Sequence, residues 1–273
     1  TADAIGQNLD FLKQCHEPYV IITSGDCVYK MDYNKLLEYH INKQADITVV
    51  CKEMSADVNT DRFGTIRMNE ESRIEEFEEK PVVARSNTIS CGVYVIRRRQ
   101  LIELIEKAEA EERFDFVRDI LVRYKDMKRI YGYKIKNYWS NIATIEDYFH
   151  TNMDFLKPEV RQYFFCDYPN ICTKVIDLPP AKYNIGVKVK NSLISSGCII
   201  NGTVEDSLIF KESFIGNNCS IKNSIILNDV YIGDNTHIEN CIVESHGTIQ
   251  ANSYYKGDDG IKIVVENNER YVI

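Results

Sequence analysis

Two kinds of hydrophobic periodicity divide the chain. Through residue 157, short apolar runs alternate with stretches of helical spacing. Tyr19–Thr23 reads as a buried parallel strand, and residues 47–51, 88–96 and 130–135 as further strands. Residues 65–68 and 74–78 read as a small hairpin. Helical spacing covers residues 33–43, 100–112, 116–124 and 144–156. Such alternation argues for an open α/β sheet.

From Val189 onward the pattern repeats. Val204-Glu205-Asp206-Ser207-Leu208-Ile209 is echoed by Ile221-Lys222-Asn223-Ser224-Ile225-Ile226, then by Ile238-Glu239-Asn240-Cys241-Ile242-Val243, at a step of 17 residues. Ile215-Gly216-Asn217-Asn218 and Ile232-Gly233-Asp234-Asn235 keep the same step, and Val189 opens the series with a shorter turn. Each step is close to three hexads with an aliphatic near the start of most. A coil of three short strands needs one aliphatic inside each flat face. It also needs corners where Gly or Asn adopts left-handed backbone. Stacked coils, three to four by the repeat count, then bury one continuous column, so residues 187–273 are expected to form a left-handed parallel β-helix. An antiparallel meander would show polar/apolar alternation and no fixed step. Between the two halves, residues 158–186 mix Tyr163, Phe164, Phe165 and Tyr168 with prolines, which suits an ordered connector better than a flexible linker.

Composition narrows the function classes. At 273 residues and 44% hydrophobic, the chain can bury a sizeable core. A net charge of −8, with basic residues scattered and no Lys/Arg-rich run standing out, argues against nucleic acid. The apolar runs are strand length, short of a membrane span. Nine cysteines without a framework spacing read as buried reduced thiols of a cytosolic protein. The opening, Thr1-Ala2-Asp3-Ala4, runs straight into helical spacing and reads as the interior of a longer protein.

Two stretches carry candidate chemistry. Ser24-Gly25-Asp26 follows the apolar strand, and ligands of open α/β sheets bind beyond strand carboxyl ends. An Asp delivered there on a Gly turn can reach a phosphate-bound Mg²⁺, although Gly-Asp after a strand is more commonly just a turn. Glu79-Lys80-Pro81 ends another strand. A Lys before Pro is expected in extended backbone, pointing outward, where it can hold a phosphate. Glu79 can accept sugar hydroxyls. By itself this stretch also reads as a solvated charged edge.

Taken in order, several motifs carry a resemblance. They are Thr1-Ala2-Asp3-Ala4, residues 24–33, Arg62-Phe63-Gly64, residues 76–81, Ser90-Cys91-Gly92-Val93-Tyr94, Asp115-Phe116 with Asp119-Ile120, Tyr138-Trp139 with Ala143-Thr144-Ile145, residues 178–182, and the repeat. As a set they resemble the glucose-1-phosphate adenylyltransferase family (ADP-glucose pyrophosphorylase) of bacterial glycogen synthesis. The resemblance implies a Rossmann-like nucleotidyltransferase domain with a mixed open sheet over residues 1–157, followed by the hexapeptide-repeat β-helix. It implies a reaction of ATP with glucose 1-phosphate that gives ADP-glucose and pyrophosphate with Mg²⁺, in a cytoplasmic tetramer. It assigns Asp26 to the metal, Lys80 to the sugar phosphate, Glu79 to the glucose hydroxyls, Ser90 and Gly92 to the sugar pocket, and Thr1 and Ala2 to the neighbourhood of the base. The family's Gly-rich triphosphate loop falls upstream of Thr1.

The departures from the family pattern are specific. Catalytic members have Tyr-Trp-Arg-Asp-Val-Gly-Thr, whose Asp is the second metal ligand. Here Ser140 stands for the Arg, Asn141 for the Asp and Ala143 for the Gly. Cys27 replaces a His, and Val117-Arg118 replaces Gly-Lys. A neutral Asn is a poor Mg²⁺ ligand. The pattern resembles the regulatory, non-catalytic subunit of the family, which pairs with a catalytic one. The alternatives are an active enzyme that tolerates Asn141 and, from another class, a hexapeptide-repeat acyltransferase using His237 or His246.

Overall fold

The computed structural model describes residues 2–55, 58 and 60–266. The chain forms two compact units, Thr1–Trp139 and Ser140–Ile273. No helix among the described residues is long and apolar enough to cross a membrane.

The first unit is built on a mixed sheet. Its elements are α1 (Ala2–Gly6), α2 (Leu9–Gln14), β1 (Tyr19–Thr23), β2 (Cys27–Tyr29), α3 (Tyr33–Asn42), β3 (Ile47–Glu53), β4 (Gly64–Met68), β5 (Ile74–Glu79), β6 (Thr88–Arg97), α4 (Arg98–Ala110) and β7 (Ile130–Ile135). The strand order is β5-β4-β6-β3-β7, and β1 also pairs β6. Only β3 and β7 are parallel; β1, β3 and β4 run antiparallel to β6. The expectation of a parallel Tyr19–Thr23 is therefore corrected. An apolar run signals burial but carries no information on the direction of its neighbour. Burial on both faces also explains why β6 reads as a nearly unbroken hydrophobic run: from Thr88 to Ile96 every residue but Gly92 is buried, and its apolar side chains alternate between two clusters.

Helix starts follow local chemistry. Asp32 caps α3, its carboxylate accepting from the Asn34 N–H at 3.0 Å. α4 buries Leu101, Leu104, Ile105 and Ala108, one face at i, i+3, i+4, i+7. α3 also buries His40, 1% exposed, whose Nδ1 meets Thr48 Oγ1 at 2.8 Å while Nε2 has no partner among the described residues. Burial pulls this imidazole down from 6.5 to about 4, so the folded unit holds it neutral. A lowered folded value contributes stability that is full above the unfolded value and is lost as pH falls. Of roughly 3 kcal/mol in total, about 2 should be gone at pH 5. Denaturant unfolding at pH 7 and pH 5 checks this against His40→Phe. The wild-type loss should exceed the variant's by about that amount, and equal losses would remove His40 as the cause.

The second unit coils. Its three faces are five-stranded parallel sheets. One face stacks Lys188–Lys190, Thr203–Glu205, Ser220–Lys222, His237–Glu239 and Tyr254–Lys256, stepping by 15 residues once and by 17 thereafter. There are five strands to a face rather than the three to four coils expected. The end coils, at Lys182–Tyr183 and Lys262–Val264, pair in register without spelling the repeat. Inside lies the aliphatic column, including Ile200, Val204, Ile215, Ile221, Ile232, Ile238 and Ile249. The corners take positive φ in 17-residue steps, at Asp206, Asn223 and Asn240, at Asn218, Asn235 and Asn252, and at Glu212, Asp229 and His246. Stacked corner amides bond one another, Asn223 Nδ2 to Asn240 Oδ1 at 2.7 Å and Asn218 Nδ2 to Asn235 Oδ1 at 3.2 Å.

The units part at Trp139 and Ser140, ahead of the residue 157 boundary read from the sequence. Helix α5 (Ile145–Met153), which Thr144 and Asp147 open with a capping box, belongs to the second unit. Its Phe149 packs in one cluster with Leu208, Ile225 and Ile242 of the coil.

Candidate functional site

The site grows from an irregularity in β6. Val49 on β3 faces Tyr94, yet Cys51 faces Ser90, so β6 carries extra residues around Gly92. A bulge of this kind re-aims the strand and is common beside functional sites. Gly92 has φ +70°, and a Cβ there would lie 2.9 Å from Ser24 Cβ, so both conformation and space demand glycine. The Gly92 carbonyl accepts the Ser24 N–H at 2.9 Å, which fastens the Ser24-Gly25-Asp26 turn to the sheet. Within the turn, Ser24 Oγ donates to Asp26 Oδ1, and Cys27 Sγ lies 3.3 Å from the same oxygen.

A cavity of about 370 Å³ opens beside this turn. Ser24, Gly25, Gly92, Tyr94 and Phe116 line it, with Ala4 and Ile5 from α1. Tyr94 joins the pieces. Its hydroxyl is 3.3 Å from Ser90 Oγ, and its ring tilts against Phe116 at 5.1 Å. Burial pushes the phenol up to about 12, and the neighbouring Glu79 and Asp115 charges push the same way, so it remains protonated. Tyr94 closes the Ser90-Cys91-Gly92-Val93-Tyr94 motif, in which the sequence alone assigns it no role. The period-two signal was present nonetheless, because Ser90, Gly92 and Tyr94 alternate along one strand.

Glu79 ends β5 opposite Gly64, and a Cβ on Gly64 would fall 2.9 Å from Glu79 Oε2. Burial raises the Glu79 carboxyl, against the nearby Lys80 charge. Lys80 is not in the extended backbone expected before proline. It has φ +48°, and its N–H donates to the Phe63 carbonyl at 3.2 Å, curling the strand end back over the Arg62-Phe63-Gly64 turn. This hydrogen bond overrides the local preference at a cost of order 1–3 kcal/mol, the kind of strain that collects at functional sites. The Lys80 side chain is exposed. Phe63 in turn meets the buried Trp139 edge-on at 5.6 Å.

Thus Ser90 and Glu79 lie near Tyr94, which shares the cavity with Gly92; Lys80 follows Glu79, and Asp26 sits on the turn whose Ser24 and Gly25 line that cavity. Ala2 does not join them: it is 2% exposed, sits in the core cluster, and gives its N–H to the Phe114 carbonyl, so α1 reaches the cavity through Ala4 and Ile5 instead. Thr1 lies outside the described residues. Ser140 and Asn141 fall in the second unit, where Ser140 Oγ meets Thr151 Oγ1 of α5 at 2.7 Å. His237 stacks on Tyr254 at 4.9 Å, and His246 occupies a coil corner bonded to Asp229. Among the described residues no group of three or more His, Cys, Asp or Glu gathers to hold a metal. One exposed carboxylate, Asp26, fits a Mg²⁺ that arrives with substrate phosphates rather than one resident in a protein cage.

Residues 1–158 match the family model described as Nucleotidyl transferase, and residues 179–259 the one described as GlmU-like, C-terminal hexapeptide. A Pseudothermotoga lettingae protein named glucose-1-phosphate adenylyltransferase is 36% identical over 224 residues, 81% of this chain and 53% of the relative. Proteins of the same name from Bacillus cereus and Bacillus anthracis are each 39% identical over 214 residues, 77% of this chain and 57% of the relative. The chain thus spans about half the length of the curated relatives it matches.

Proposed function

We propose, since the chain belongs to the nucleotidyl transferase family, that it is a subunit of a glucose-1-phosphate adenylyltransferase of glycogen synthesis. Its ligands are ATP and glucose 1-phosphate, and its products ADP-glucose and pyrophosphate. The observation that supports this most is the bulge at Gly92, which fastens the Asp26 turn beside the cavity that Tyr94 shares with Ser90. Phosphoryl-type transfer of this sort depends on positioning and charge stabilisation more than on covalent help from the protein. Lys80 holds the sugar phosphate as a compact cation, Glu79 takes glucose hydroxyls, and the Tyr94 hydroxyl, kept protonated, fixes Ser90 at the pocket wall. Asp26 would hold a Mg²⁺ arriving with the substrate phosphates, which would supply neutralisation of charge at the α-phosphate.

The finer reading is a regulatory subunit, weak or inactive alone, that modulates a catalytic partner within a homo- or heterotetramer. Asn141 in place of the second metal carboxylate supports it. Sugar-phosphate binding should survive even where turnover does not, because Lys80, Glu79, Ser90 and Gly92 are all present. Calorimetry with glucose 1-phosphate is expected to show Lys80→Ala weakening binding by about tenfold, the worth of one charge-assisted contact of roughly 1.4 kcal/mol. Equal affinity in the two proteins would take Lys80 out of the site.

A further inference from the structure

A second cavity, about 410 Å³, lies where β6 hands over to α4, and His16, Pro18, Tyr19, Arg97, Arg98 and Arg99 line it. The three consecutive arginines are a basic run that the overall acidic balance hides. Arg97 pairs with Tyr19 in the sheet, so the cavity sits at the start of β1, four residues from Thr23 and about 13 Å along the strand from the Asp26 turn. The arginines differ in their commitments. Arg98 is spent on the fold: Nε donates to the Glu17 carbonyl at 2.9 Å and Nη1 to the Leu12 carbonyl at 3.0 Å. The side chains of Arg97 and Arg99 make no hydrogen bond or ion pair among the described residues, and both residues are exposed. Glu17, the acid in this loop, already accepts the His16 N–H at 3.1 Å. Behind Tyr19, at 5.4 Å, stands His40, held neutral and adding no charge. Two forked, always-charged donors beside a concavity, with no carboxylate lining it, match the oxygens of a phosphate.

We propose that this cavity is a second anion site, distinct from the sugar-phosphate site, which binds the phosphate group of a small molecule through Arg97 and Arg99. The volume leaves room for more than the bare ion. The test starts from Lys80→Ala, which is expected to weaken phosphate binding at the proposed sugar-phosphate site. On that background, calorimetry is run with inorganic phosphate, glycerol phosphate and glycerol. Phosphate or its ester should bind and glycerol should not. Tighter binding of the ester identifies a phosphorylated metabolite as the ligand, and tighter binding of phosphate identifies the free ion. Adding Arg97→Gln and Arg99→Gln should weaken binding about tenfold or more with an unchanged melting temperature. Arg99→Gln alone repeats the test without touching the residue paired to Tyr19, should the double variant melt early. No phosphate binding on the Lys80→Ala background, or affinity indifferent to Arg99, overturns the proposal. Both outcomes are independent of whether the protein makes ADP-glucose.

Discussion

Ile200→Asp is expected to unfold the C-terminal unit, whereas Ile199→Asp, one residue away, should leave it folded. The two side chains occupy successive positions of one strand and so point to opposite faces. Ile200 is 0% exposed and belongs to the aliphatic column, in register with Ile215; Ile199 is 37% exposed, in register with Phe214 on the outer side. A carboxylate forced into the column would have to be buried without a partner or protonated. Either course costs several kcal/mol, comparable to the whole stability of a domain of ordinary size. In a coil the damage does not stay local, since each coil is stabilised mainly by its neighbours. On the outer face the same carboxylate remains hydrated, and the change is expected to stay within about 1 kcal/mol. Far-ultraviolet circular dichroism during thermal melting of both variants reads this out. Equal melting of the two proteins would mean that the column is not assembled as described.

The asymmetry between the halves in what the residues reveal has a physical origin. In the coil every turn obeys the same constraint, one aliphatic inward per face and one left-handed corner, so the 17-residue step gives register, corners and core together. Only the ends escaped, because Lys182–Tyr183 and Lys262–Val264 pair in register without repeating the spelling of the middle coils. In the α/β unit the strands were legible as apolar runs, but their directions were not. β1 is antiparallel to β6 because of chain routing, which leaves no mark on Tyr19–Thr23 itself. The site was legible where a residue type is forced. Gly92 is fixed by its positive φ and by Ser24. It was misread where a tertiary hydrogen bond outweighs a local rule, as at Lys80, whose N–H finds the Phe63 carbonyl. The helix over residues 144–156 was legible, but the contacts of its apolar face were not. The apolar face that carries Phe149 does not say which neighbour will cover it, and the coil residues Leu208, Ile225 and Ile242 do so.

Restoring Asn141→Asp together with Ser140→Arg should raise the rate of the lone subunit by roughly a hundredfold to several thousandfold. The expectation follows from what Asn141 lacks. An amide offers one neutral carbonyl oxygen where a carboxylate offers two anionic ones, and Mg²⁺ favours the hard, charged ligand. The metal's stabilisation of charge in the transition state is worth several kcal/mol, and each ~1.4 kcal/mol is a factor of ten in rate. Ser140 adds a second deficit, since the Arg found at this position in catalytic members is absent and the hydroxyl is already engaged with Thr151 at 2.7 Å. That engagement makes the double change the informative one. Arg at this position must give up the Thr151 contact, worth about 1 kcal/mol of stability, and the single Asn141→Asp variant separates that loss from the catalytic gain. The full-length wild-type protein alone should therefore release pyrophosphate barely above background, while raising the rate or altering the effector response of a catalytic partner when mixed with it. The decisive measurement is pyrophosphate release by the purified wild-type protein without a partner. A turnover on the order of 10 per second, ordinary for an enzyme, would show that Asn141 does not disable the site. The regulatory reading would then fall, while the adenylyltransferase reading, which rests on the Gly92 bulge and its cavity, would stand.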